Sequence, residues 1–134
     1  NARFPPILRI TRPHQGIDYA APVGTPVWAV ADGRVIYRGY AGGFGNLLKI
    51  RHSRGYVTYY GHLSRFGSGL KVGQRVRQKQ VIGYVGSTGL STGPHVCFRL
   101  IKDDHYVNPL RVRGLATHDP VPAALRARFR RRSR

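Results

Sequence analysis

Short β-branched and aromatic runs, alternating with polar positions and punctuated by glycine and proline, organise this chain into strands and turns. The clearest alternation is His95-Val96-Cys97-Phe98-Arg99-Leu100, introduced by Ser91-Thr92-Gly93-Pro94. Successive side chains of a strand point to opposite faces, so Val96, Phe98 and Leu100 share one face and His95, Cys97 and Arg99 the other. The first set suits a core; the second suits a site.

The same reading predicts a strand over Thr25 to Ala31, with Asp32-Gly33 as a hairpin-type turn into Val35-Ile36-Tyr37. Leu47 to Arg51 and Tyr56 to His62 read as a hairpin across Ser53-Arg54-Gly55. Lys79 to Val85 is a further strand, Gly86 to Pro94 a loop that delivers His95, and His105 to Val107 a last strand. The glycine-rich stretch Tyr40 to Asn46 lacks a following Lys-Ser/Thr and is no phosphate-binding loop. Pro5-Pro6 and Arg12-Pro13 exclude a regular helix from the opening 13 residues. The expected fold class is all-β, a single domain whose antiparallel sheet forms an open groove.

At 134 residues the size fits one domain. No apolar run approaches the ~18 residues needed to cross a membrane, so no transmembrane segment is expected. The chain begins at Asn1 rather than methionine, as a mature or trimmed form would. After Leu110 the composition shifts: residues 111–134 hold eight arginines against one aspartate and read as a mobile Arg-rich tail, leaving residues 1–110 as the folded domain.

The chemistry concentrates in two places. Cys97 is the single cysteine, so it forms no internal disulfide, and the strand phase sets it beside His95, away from the apolar face. Imidazole and thiol are both good zinc ligands. Upstream, in Pro13-His14-Gln15-Gly16-Ile17-Asp18, an extended backbone puts His14 and Asp18 on one face with the side-chain-free Gly16 between them. These are two ligand clusters suited to meeting across a sheet.

Three ordered stretches resemble the signatures of the lysostaphin-type (LytM-type) zinc metallopeptidases: His14 to Val27, Tyr60-Gly61-His62-Leu63-Ser64, and Thr92 to Phe98. The resemblance runs from about Arg3 to about Leu110. It implies a LytM-like fold, a Zn2+ cofactor, and hydrolysis of peptide bonds in peptidoglycan stem peptides or cross-bridges. The family usually ends its last motif H-x-H, and here the second histidine is Cys97. The implied metal site is therefore His14, Asp18 and Cys97, with His62 and His95 as the two non-ligand histidines that assist catalysis. Arg99, where the family often has a glutamate, is expected to point into the substrate groove, and Tyr60 to line it. A thiolate in place of a neutral imidazole makes the metal centre less positive, which implies reduced or alkaline-shifted activity, and an exposed lone thiol would make activity depend on reductant. The implied setting is the periplasm or the extracellular face of a bacterial envelope.

The formal charge of +18, from 23 lysines and arginines against five acidic residues that are all aspartate, favours anionic partners. The basic residues are spread along the chain without a recognised nucleic-acid motif, so nucleic acid is not expected. Peptidoglycan and the anionic polymers of the cell envelope are the expected partners. The alternative to an enzyme is a degenerate relative that binds cell wall or activates a separate wall hydrolase. His52, His105 and His118 match no signature and read as structural.

Overall fold

A computed structural model describes residues 8–12, 16–108 and 120. Apart from Pro120, which is buried and whose carbonyl accepts the Trp28 N–H at 2.7 Å, the expected segment after Leu110 lies outside these residues, as does the predicted ligand His14. Among them run ten strands: β1 (Leu8–Arg12), β2 (Gly16–Ala20), β3 (Pro26–Trp28), β4 (Gly33–Tyr40), β5 (Asn46–Arg51), β6 (Tyr56–Phe66), β7 (Arg75–Val76), β8 (Val81–Val85), β9 (His95–Lys102) and β10 (His105–Val107). Single 3₁₀ turns at Gly42–Phe44 and Ser53–Gly55 complete the regular structure. The all-β expectation holds.

All the pairings are antiparallel, and the main path is β1-β2-β9-β6-β5-β4-β7. The eleven-residue β6 is the spine. It pairs with β5 and β9 through its first half, and its far end pairs with β8, which in turn pairs with β3. Buried residues from both branches, including Val27, Leu48, Ile50, Tyr60, Leu63, Ile82, Val85, Val96 and Phe98, form one core. Burial of these aliphatic and aromatic side chains is the main stabilising term of the domain.

The β5–β6 hairpin and β10 match the expected strands. Asp32-Gly33 does not make the expected hairpin. The strand before it is only three residues long and pairs with β8, while β4 pairs with β5 and β7. Asp32 instead accepts a 2.7 Å hydrogen bond from the Gln78 N–H at its Oδ1, tying this corner to a distant loop. The opening segment contributes β1, which pairs with β2 along its whole length.

A buried polar chain braces the core behind the sheet. His52 Nδ1 donates to the carbonyl of Asp32 at 2.7 Å, and its Nε2 lies 2.7 Å from the Thr58 hydroxyl, which is 2.9 Å from the Tyr60 hydroxyl. The Val30 N–H donates to Tyr60 at 3.3 Å. Burial lowers the His52 pKa, although the Asp32 carbonyl pulls the other way, so the ring is neutral and Nε2 accepts. Every member of the chain has a partner, which is what a buried polar group requires.

Candidate active site

The register of β2 against β9 builds the site. Asp18 stands directly opposite Cys97, and Ala20 opposite His95. The alternation of β9 is as expected: Val96, Phe98 and Leu100 are buried in the core, while His95, Cys97 and Arg99 line a cavity on the other face. Strand β2 can lie this close because of Gly16. Its φ of +122° is open to glycine, and a Cβ there would collide with the Phe98 carbonyl.

His62 arrives by a different device. Strict alternation along β6 would put it on the core side with Tyr60. Instead the β5–β6 register slips between Asn46 and Leu48, so that Tyr60 opposes Leu48 but Leu63 opposes Asn46. That extra residue is a bulge, and bulges re-aim side chains. His62 takes a left-handed φ of +63°, swings to the cavity, and leaves Leu63 fully buried in the core. A non-glycine residue held there costs on the order of 1–3 kcal/mol, and such positions cluster at functional sites.

The two histidines are held alike. Nδ1 of His62 donates to the carbonyl of Thr88 at 2.7 Å, and Nδ1 of His95 donates to the carbonyl of Gly93 at 2.8 Å. A carbonyl only accepts, so each Nδ1 carries the proton and each Nε2 is the free nitrogen. The rings lie 4.6 Å apart, and His95 Nε2 is 3.9 Å from Asp18 Oδ1. Burial lowers the His62 pKa, with the neighbouring His95 adding to it against the pull of the Thr88 carbonyl.

Asp18 and Cys97 are each only 5% exposed. The thiol is thus not the exposed group expected from sequence. Its burial pushes its pKa up, partly offset by the Arg99 guanidinium alongside. That guanidinium stacks over the rings of Phe44 (4.7 Å) and Tyr106 (5.3 Å) and donates to the Tyr106 hydroxyl at 3.1 Å. Arg99 lines the cavity. Tyr60 does not: it opposes Phe98, is 0% exposed, and its hydroxyl is pushed up to about 12 by burial. Its neighbour Tyr59 opposes Arg99 and meets Phe44 edge-on at 6.0 Å.

The cavity, of about 410 Å³, is also lined by Phe44, Leu90, Ser91 and Thr92. In the sequence these positions fall in the glycine-rich stretch Tyr40 to Asn46 and in the loop before His95. Ser91 Oγ lies 3.2 Å from His95 Nδ1 and donates to the Gly93 carbonyl at 2.6 Å, so it braces the turn that holds the ring. Thr88 Oγ1 accepts from the Asn46 N–H at 3.0 Å and donates to the Leu63 carbonyl at 2.8 Å, locking the loop that presents its own carbonyl to His62. The crowding of Ser and Thr just before His95 was the available signal.

The donor chemistry fits zinc: a buried carboxylate and a buried thiol in register on paired strands, at the wall of a cavity that two imidazoles share. Among the described residues no three such side chains form a ready-made metal cluster, and the expected third ligand is His14.

Comparison with known proteins identifies the family. A family model for peptidase family M23 matches residues 12–109. The chain is 50% identical over 110 residues to the DD-carboxypeptidase/endopeptidase Mpg of Neisseria meningitidis serogroup B, covering 82% of this chain and 25% of that protein. It is 44% identical over 110 residues to the peptidoglycan DD-endopeptidase ShyC of Vibrio cholerae serotype O1, again covering 82% and 25%. The chain thus spans about a quarter of the length of these relatives. A zinc containing peptidase from Vibrio cholerae superposes with a TM-score of 0.71 at 31% identity, over 84% of this chain and 38% of that one. With the three ordered motifs, the strand register that joins them and these matches in hand, the chain belongs to peptidase family M23.

Proposed function

We propose that the chain is the catalytic domain of a zinc-dependent endopeptidase that cuts peptide bonds in peptidoglycan stem peptides or cross-bridges, in the periplasm or outside the cell. The observation that carries this reading is the shared cavity, where two carbonyl-anchored histidines face the Asp18–Cys97 pair. Support for the substrate comes from ShyC, a peptidoglycan DD-endopeptidase, and for the metal from the Vibrio cholerae zinc peptidase.

Asp18 and Cys97, with His14, would hold the ion. Zinc supplies Lewis-acid polarisation of the scissile carbonyl and of water. The remaining work belongs to the chain. His62 and His95 each keep Nδ1 occupied and Nε2 free, so each can take up a proton at Nε2 and return it to the leaving amine. Once protonated, either ring also offers an N–H to the developing oxyanion. Arg99 brings a fixed positive charge to the wall beside Cys97, favourable for a carboxylate on the stem peptide.

The test is digestion of purified, cross-linked muropeptides with product masses read by mass spectrometry. New peptide termini, lost on chelation and restored by zinc, are expected. Binding to sacculi without new termini would leave the degenerate, wall-binding alternative.

A further inference from the structure

A second cavity, of about 670 Å³, shares no lining residue with the first and is lined by Arg34, Arg51, Arg75 and Arg77 together with Asp32 and Ser53. Three of these arginines stand abreast. Arg34 on β4 is directly opposite Arg51 on β5 and directly opposite Arg75 on β7. Their neighbours Val35, Ile50 and Val76 are buried, so the three arginines share the outer face. Side chains directly opposite on paired strands sit ~4.5–5.5 Å apart at Cβ, and like charges in that relation repel.

Among the described residues lining the cavity, four arginines face a single carboxylate, that of Asp32. Among the described residues no ion pair joins any of the four to a carboxylate. Asp32, the one acid lining the cavity, accepts the Gln78 N–H. Arg34 spends one nitrogen on the Gly73 carbonyl at 2.8 Å. Arg51, Arg75 and Arg77 are exposed residues.

We propose that this row is a binding site for phosphate groups, separate from the peptidase site. Guanidinium forks match oxyanions bidentately. A carboxylate presents two oxygens in a plane, whereas several guanidiniums abreast and one from a loop suit the tetrahedral, multiply charged oxygens of phosphate. The site would hold the domain against the phosphate-bearing part of an envelope while the other face works on peptide. The proposal does not depend on the peptidase reading.

Calorimetric titration of the purified chain with inorganic pyrophosphate tests it, alongside flotation with phosphatidylcholine vesicles with and without phosphatidic acid. Arg34→Gln/Arg75→Gln should weaken binding about tenfold or more, as expected for lost charge-assisted hydrogen bonds. Arg38→Gln/Arg65→Gln removes the same charge from exposed sites elsewhere and should leave binding nearly unchanged. Arg77→Gln, outside the strand row, should weaken binding as well and carries the test should the double variant fold poorly. Pyrophosphate binding lost in the first pair identifies a site for free phosphate groups. Vesicle binding alone, lost in the same pair, identifies a lipid source. Equal weakening by both pairs, or no binding to either probe, overturns the proposal in favour of diffuse charge.

Discussion

Nδ1 of His62 donates to the carbonyl of Thr88 across 26 positions of sequence, and this bond fixes both the tautomer and the aim of a histidine in left-handed backbone. The Thr88 loop is itself locked to Asn46 and Leu63, so the bulge in β6 and the loop before β9 form one support.

His62→Asn separates the two roles of that residue. Asparagine tolerates a positive φ, so the fold should survive with a change in Tm of only a few degrees. Hydrolysis of muropeptides should fall by about 10²–10⁴, the range for loss of a proton-transferring group. Activity within a few fold of the parent would remove His62 from the chemistry.

Gly16→Ala tests the register that sets Asp18 against Cys97. The added Cβ meets the Phe98 carbonyl in a conformation that alanine resists, so β2 must shift. Stability should drop by roughly 2 kcal/mol or more in urea unfolding, and activity with it. An unchanged transition would mean that β2 does not sit this close to β9.

The pH dependence of stability follows from His52. Its native pKa lies below the usual 6.5, so below about that pH the unfolded chain binds a proton that the native ring refuses. Stability therefore rises with pH through this window and is lost as pH falls from about 6.5 towards the native value, by at most ~1.4 kcal/mol per pH unit for each such group. His62 is shifted in the same direction and adds to the slope. Urea unfolding across this range should show the decline, and His52→Gln should make it shallower. A slope unchanged by that variant would contradict the assignment.

Cys97→His restores the residue usual in the family. A neutral imidazole cancels less of the ion's charge than a thiolate, and side-chain-free Gly61 lies opposite Cys97 in the β6–β9 pair. Hydrolysis near pH 7 should rise by roughly tenfold, about 1.4 kcal/mol of barrier. No change would refute the idea that the thiol restrains the site.

The alternation of β9 was legible because one face of that strand is core and the other cavity, so period two separates Val96, Phe98 and Leu100 from His95, Cys97 and Arg99. Tyr60 is not in the groove because the motif Tyr60-Gly61-His62 straddles the bulge. Strict alternation would keep Tyr60 and His62 on one face, yet the extra residue leaves Tyr60 in the core and turns His62 to the cavity. Asp32-Gly33 carries a strong local turn signal, but the partners of the flanking strands are set by long-range packing that no dipeptide encodes. Ser91 and Thr88 act through backbone carbonyls and loop contacts, and their residue types alone do not announce that.

The central claim is that Asp18 and Cys97 are a metal-holding pair. Elemental analysis of the desalted chain, reconstituted with zinc under reducing conditions, tests it most directly when run beside Cys97→Ala and Asp18→Ala. About one zinc per chain, lost in both variants while the fold persists by circular dichroism, is the predicted result. A parent chain with no zinc, or variants that keep it, would contradict the account.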